Sequence, residues 1–176
     1  MIGRAFGRRA GSLIVAALAC LLFAAAMIVM TPRPVTQIAV AVSYSTDLAK
    51  FKRVAPHIVL APEGLPAGWR PVSSRLTVTG GGVVSWHLGF ITPSGRMASL
   101  EESNERPAEF IRRMTNNGDL LTPVWSAGAW WARRLRPDKD QRSMYRSAPG
   151  AFTLVVTGTS GWEELAQLAG SLRPQP

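Results

Sequence analysis

The chain is short of the residues that announce chemistry. Cysteine occurs once, at Cys20, histidine twice, at His57 and His87, and lysine three times in 176 residues. A single cysteine excludes an internal disulfide, and two isolated histidines with no cysteine beyond residue 20 speak against a transition-metal centre. Gly80, Gly81 and Gly82 lack the lysine and following helix of a phosphate loop, and in TGTSGW Trp162 stands where a nucleophile elbow needs its second glycine. No internal repeat or low-complexity segment is present. No cofactor and no metal are expected.

Charge is also one-sided, with 20 basic against 11 acidic residues and a net +9. Arg4, Arg8 and Arg9 carry three of those charges and precede the chain's one long apolar run, SLIVAALACLLFAAAMIVM at 12–30. At about 1.5 Å per residue a helix over this run reaches roughly 28 Å, enough to cross a bilayer. The arginines before it place the N-terminus in the cytoplasm by the positive-inside bias. The run therefore reads as a signal anchor with the rest of the chain extracytoplasmic.

Two other readings of the run are weaker. A cleaved signal peptide wants a shorter apolar core, and Met27 to Met30 prolong this one past the small residues Ala24 and Ala26. Lipid attachment at Cys20 lacks the leucine expected three residues earlier. The remaining organisation is a cytoplasmic tail at 1–11, the anchor at 12–30, a membrane-proximal segment at 31–60 and an extracytoplasmic α+β domain at 61–176. About 140 residues suffice for a self-sufficient core.

Within the outer portion, 35–42 alternates as a short strand, and Leu48, Phe51 and Val54 line one side of a brief helix after Ser45. The stretch APEGLPAGWRP at 61–71 reads as a loop. Strands at 72–79 and 83–91 flank the three glycines as a hairpin, with Val84, Trp86, Leu88 and Phe90 on one face and Ser85, His87 and Gly89 on the other. A strand at 97–101 follows. A helix then starts at Pro107 and ends near Asn117, and strands at 128–136, 142–148 and 151–157 form a meander. Ser160 and Glu163 fit a capping box for a last helix, which Pro174 stops. The order predicts an α+β fold with a mostly antiparallel sheet packed with helices.

The segments LAPEGLPAGWRPVSSR, VSWHLGFITPSGRMASLEESN, AGAWWARR and TGTSGWEELAQLAGSL occur in that order. As a set they resemble domain of unknown function 4245, a membrane-anchored actinobacterial family. The resemblance implies an N-terminal anchor and one extracytoplasmic α+β domain without assigned activity, and it supplies no catalytic residues. The element order also looks like a Mog1/PsbP-like sandwich, an analogy of fold alone.

Candidate chemistry is sparse. His87 shares a face with Ser85 and has Glu101 and Glu102 in the next strand, but Ser85 lies mid-strand rather than at an exposed turn. His57 has no acidic partner at ligand spacing. Glu101, Glu102, Glu105 and Glu109 read as a helix-start charge preference paired with Arg106, Arg112 and Arg113. The candidate binding surface is the hairpin bearing Trp130, Trp131, Arg134, Arg136, Arg142 and Arg146, where one tryptophan is core and the other exposed. Non-catalytic binding or accessory work at the cell envelope is the leading expectation, with anionic lipid head groups, wall polymer or an envelope protein as partner and no nucleic acid. The alternatives are an envelope hydrolase or isomerase using His87 and nearby carboxylates, and a structural subunit of a membrane complex.

Overall fold

Val84, Trp86, Leu88 and Phe90 are buried on one side of strand Val84–Ile91 while Ser85 and His87 turn to the other, as the period-2 pattern requires. The structure is a computed structural model and describes residue 20 and residues 42–148 and 152–176. The expected span at 12–30 and the expected strand at 35–42, apart from Val42, lie outside the described residues. No helix among those described is long and apolar enough to cross a membrane. Residues Val40–Pro176 make up one compact unit.

In chain order the elements are α1 (Ser45–Val54), β1 (Val59–Pro62), β2 (Arg70–Val78), β3 (Val84–Ile91), β4 (Met97–Ser103), α2 (Pro107–Met114), β5 (Asp119–Ser126), β6 (Ala129–Arg136), β7 (Gln141–Ala148), β8 (Phe152–Gly158), α3 (Trp162–Ser171) and β9 (Leu172–Gln175). A short 3-10 turn, Pro137–Lys139, joins β6 to β7. Seven strands form one sheet in the order β2-β3-β4-β8-β7-β6-β5, and β1 pairs with β9 in a separate ribbon. Every ladder is antiparallel. The fold is α+β with an antiparallel sheet, as the element order predicted.

The inner face of the sheet carries the core. Phe51 of α1, Trp86 and Leu88 of β3, Leu100 of β4, Trp131 of β6, Met144 of β7, Leu154 and Val156 of β8, and Leu165 and Leu168 of α3 are all excluded from solvent. Leu165, Leu168 and Ala169 recur at helical spacing, so α3 buries one face. Burying one such leucine contributes about 1.5–3 kcal/mol. Helix α2 lies on the opposite, outer face against β8 and buries Phe110. Pro107 starts it, and Asn116 and Asn117 at positive φ end it.

Three strands were not foreseen. β1 occupies the start of the expected loop at 61–71, and β9 continues directly from α3, placing Pro174 opposite Leu60 rather than at a helix stop. β5 contains Pro123 and a register shift between Leu121 and Val124; proline is tolerated there because β5 is a sheet edge. The expected capping box is absent as well. Gly161 is the N-cap of α3, and Ser160 is buried with its hydroxyl unpartnered.

Candidate functional site

Helix α2 divides the outer face in two. On one side a groove of ≈ 650 Å³ runs between α2 and strands β2 to β4, lined by Arg75, Thr77, Ser85, His87, Glu101 and Phe110 among others. A second depression of ≈ 360 Å³ continues past His87 toward Ser99, Gln141 and Thr157. On the far side of α2 a shallower cleft of ≈ 410 Å³ is bordered by Ile111, Pro123, Trp130, Ala132 and Tyr145. His87 borders both halves of the first groove.

Alternation puts Ser73 and Arg75 of β2, His87 of β3, and Ser99 and Glu101 of β4 on this outer face, with Arg75 opposite His87 and His87 opposite Glu101 in register. His87 Nδ1 lies 2.6 Å from Glu101 Oε1, and Ser99 Oγ donates to the same oxygen at 2.9 Å. With Nδ1–H donating to the carboxylate, Nε2 is left as an acceptor. It faces Ser73 Oγ at 3.0 Å. The result is a serine, an imidazole and a carboxylate in line. The imidazole side chain is 34% exposed and Glu101 11%, so the base meets solvent and the carboxylate is sheltered.

Gly89 makes room for this chain of contacts. A Cβ there would sit 2.4 Å from Ser73 Oγ and 3.2 Å from His87 Nε2. Ser73 stands opposite Gly89 in the unbroken hairpin register that starts at Val78 opposite Val84, and the register shift in β2 lies beyond it, toward Pro71. Ser85, the serine the sequence placed beside His87, instead pairs with Ser103 Oγ at 2.7 Å.

The other histidine is also partnered. His57 Nε2 lies 2.8 Å from Glu102 Oε1, and Leu60 N–H donates to Glu102 Oε2 at 3.1 Å. His57 has no acidic partner at ligand spacing in the sequence, and Glu102 reaches it instead from β4, 45 residues along the chain. Burial pushes the Glu102 carboxyl above its ordinary value, against the His57 and Leu60 hydrogen bonds that lower it. Of the remaining carboxylates, Glu105 pairs with Arg113 and Glu109 with Arg106.

The six hairpin residues fall on two faces. Trp130, Arg134 and Arg136 project outward, whereas Trp131, Arg142 and Arg146 belong to the inner side, as the pairing of β6 with β7 and β7 with β8 dictates. Trp131 is 1% exposed and donates its indole N–H to Ser126 O. Arg146 lies over its ring at 5.1 Å, and burial lowers the Arg146 guanidinium pKa. Arg134 donates to Gly118 O, Arg136 pairs with Asp138 at 2.6 Å, and Arg142 with Asp140 at 2.9 Å. Arg142 and Arg96 hold the Asp140 carboxyl below its ordinary value. Trp130 is 63% exposed and meets the 59%-exposed Trp125 edge to face, with centroids 5.6 Å apart.

Residues 9–172 match the family described as Protein of unknown function (DUF4245). The chain belongs to the DUF4245 family. No functionally curated protein matches it. Among solved structures it is similar to MucB, from the crystal structure of MucB in complex with MucA(peri), at 14% identity and a TM-score of 0.41; the likeness covers 68% of this chain and 38% of that one.

For this DUF4245 chain, Ser73 is the site residue that sequence reasoning missed. The available signal was Gly89, since a glycine inside a strand marks a close approach. Which serine approaches is set by the β2–β3 hairpin register, which places Ser73 opposite Gly89.

Proposed function

We propose that this DUF4245 chain is a cell-envelope binding module, anchored by the run at 12–30, that docks an envelope protein through the outer face of the β5–β6 hairpin. The observation that carries this reading is the Trp125–Trp130 pair, two large aromatics exposed side by side on an edge hairpin. Leu120, 65% exposed, lies on the same outer face of β5, opposite Arg134. Exposed tryptophans of this kind anchor protein interfaces. Pro123 blunts the strand edge, so a partner meets the face rather than adding a strand.

The neighbouring arginines favour a protein over an anionic polymer. Arg136 and Arg142 are already ion-paired and Arg134 holds a backbone carbonyl, which leaves the aromatic surface as the free feature. A photoreactive amino acid replacing the exposed Leu120 in the full-length chain should capture one stoichiometric envelope protein in intact membranes, with capture lost in Trp125→Ala. Salt-sensitive retention on anionic vesicles or wall fragments, abolished by Arg134→Glu with Arg142→Glu, would overturn the protein reading in favour of a polyanion. Protease added to wall-stripped cells tests the orientation: the domain beyond residue 42 should be digested and an N-terminal tag protected.

A further inference from the structure

We propose that Ser73, His87 and Glu101 form a nucleophilic site that hydrolyses carboxylic esters with a short apolar acyl group. The proposal goes beyond the docking function, which uses the other side of α2. Three features support it independently. The Oγ···Nε2 and Nδ1···Oε1 separations are 3.0 and 2.6 Å, within the reach a base and its orienting acid require. Gly89 provides the space that Ser73 Oγ occupies. His87 and Glu101 of the relay also line a groove whose walls include the apolar side chains Val83, Phe110 and Met114, and Ser73, in contact with His87, is half-buried rather than enclosed.

In the first half of the reaction Ser73 Oγ bonds to the ester carbonyl carbon and its proton passes to His87 Nε2. The carbonyl electron pair moves onto oxygen, and Glu101 remains ionised beside the imidazolium. Arg75 shares this face with Ser73 and sits opposite His87 in register, which makes it the cation available to the oxyanion. Collapse breaks the bond to the alcohol oxygen, and the alcohol leaves with the proton from His87. Water then bonds to the acyl carbon and gives its proton to His87. Ser73 leaves with that proton, releasing the free acid.

The test uses the full-length chain in detergent with p-nitrophenyl butyrate as ester and a fluorophosphonate as covalent probe. In the probe reaction Ser73 Oγ bonds to phosphorus, the P–F bond breaks, fluoride leaves and His87 takes the proton. The expected result is a phosphonyl adduct on the peptide containing Ser73. Ester turnover should fall at least tenfold in Ser73→Ala and in His87→Gln, each with an unchanged circular dichroism spectrum. If a variant fails to fold, the adduct position in the unmodified chain decides. No adduct, an adduct on another residue, or undiminished turnover in a folded Ser73→Ala would overturn the proposal.

Discussion

His57 Nε2 lies 2.8 Å from Glu102 Oε1, and neither side chain has any exposure to solvent. The imidazole also stacks on Phe152, with centroids 4.0 Å apart and planes 9° from parallel, and Phe51 meets it edge-on. The pair thus ties the segment between α1 and β1 to β4 across the inner face. Removing one member of a buried hydrogen-bonded pair leaves the other unsatisfied at a cost of about 1–3 kcal/mol. His57→Ala should lose stability on that order in urea unfolding; a loss under about 1 kcal/mol would show that water reaches Glu102.

The same carboxyl predicts a pH dependence. Its pKa in the folded state is raised from 4.5 by burial, so the folded state binds the proton more tightly than the unfolded chain. Stability from this group is therefore present at low pH and falls as pH rises from about 4.5 through the folded value. Glu102→Gln retains an oxygen to accept from Leu60 or His57 but cannot ionise. Measured against the natural chain at pH 4 and pH 7, the variant should be relatively more stable at the higher pH. A difference that does not change with pH would contradict the raised value.

Gly89 and Ser73 should be energetically coupled. In Gly89→Ala the new methyl meets Ser73 Oγ first, the end of a short side chain that can rotate away at the cost of its contact with His87. Overpacking of this kind costs about 1–3 kcal/mol. In Ser73→Ala with Gly89→Ala much of that loss should disappear, because the clashing oxygen is gone. Additive effects in the double-mutant cycle would show that the methyl strains the backbone instead.

A contrasting case is Gly158, where an added Cβ would lie 2.1 Å from Met97 O. The obstacle is backbone of the paired strand β4, which cannot turn aside. Gly158→Ala should therefore cost about 3 kcal/mol or more, and no side-chain truncation nearby should rescue it. Thermal unfolding of this variant beside Gly89→Ala separates the two kinds of close approach.

How much of this was legible depended on whether the deciding contact was local. The alternation around Trp86 and the spacing of Leu165 and Leu168 are local, and both placed the core correctly. Pro107 likewise marked the start of α2. The His57–Glu102 pair spans 45 residues, so no spacing could announce it. The approach of Ser73 rather than Ser85 to His87 depends on the pairing of β2 with β3, which sets Ser73 opposite Gly89; a one-residue shift there would turn every side chain of β2 to the other face. Ser160 looked like an N-cap by sequence, but tertiary packing buried it and left Gly161 at that position.

Trp130 and Trp131 are neighbours in sequence with opposite surroundings. Trp131 sits in the inner core under the Arg146 guanidinium, so Trp131→Ala opens a cavity and should cost about 3–5 kcal/mol. Trp130 rests mainly against Trp125, and Trp130→Ala should change stability by no more than about 0.5 kcal/mol, as for exposed positions elsewhere. If Trp130 serves docking, its truncation should abolish partner capture while the unfolding midpoint stays in place. A large stability loss in Trp130→Ala would instead make the exposed pair part of the hairpin's own scaffold, and the interface would then have to lie elsewhere on the outer face.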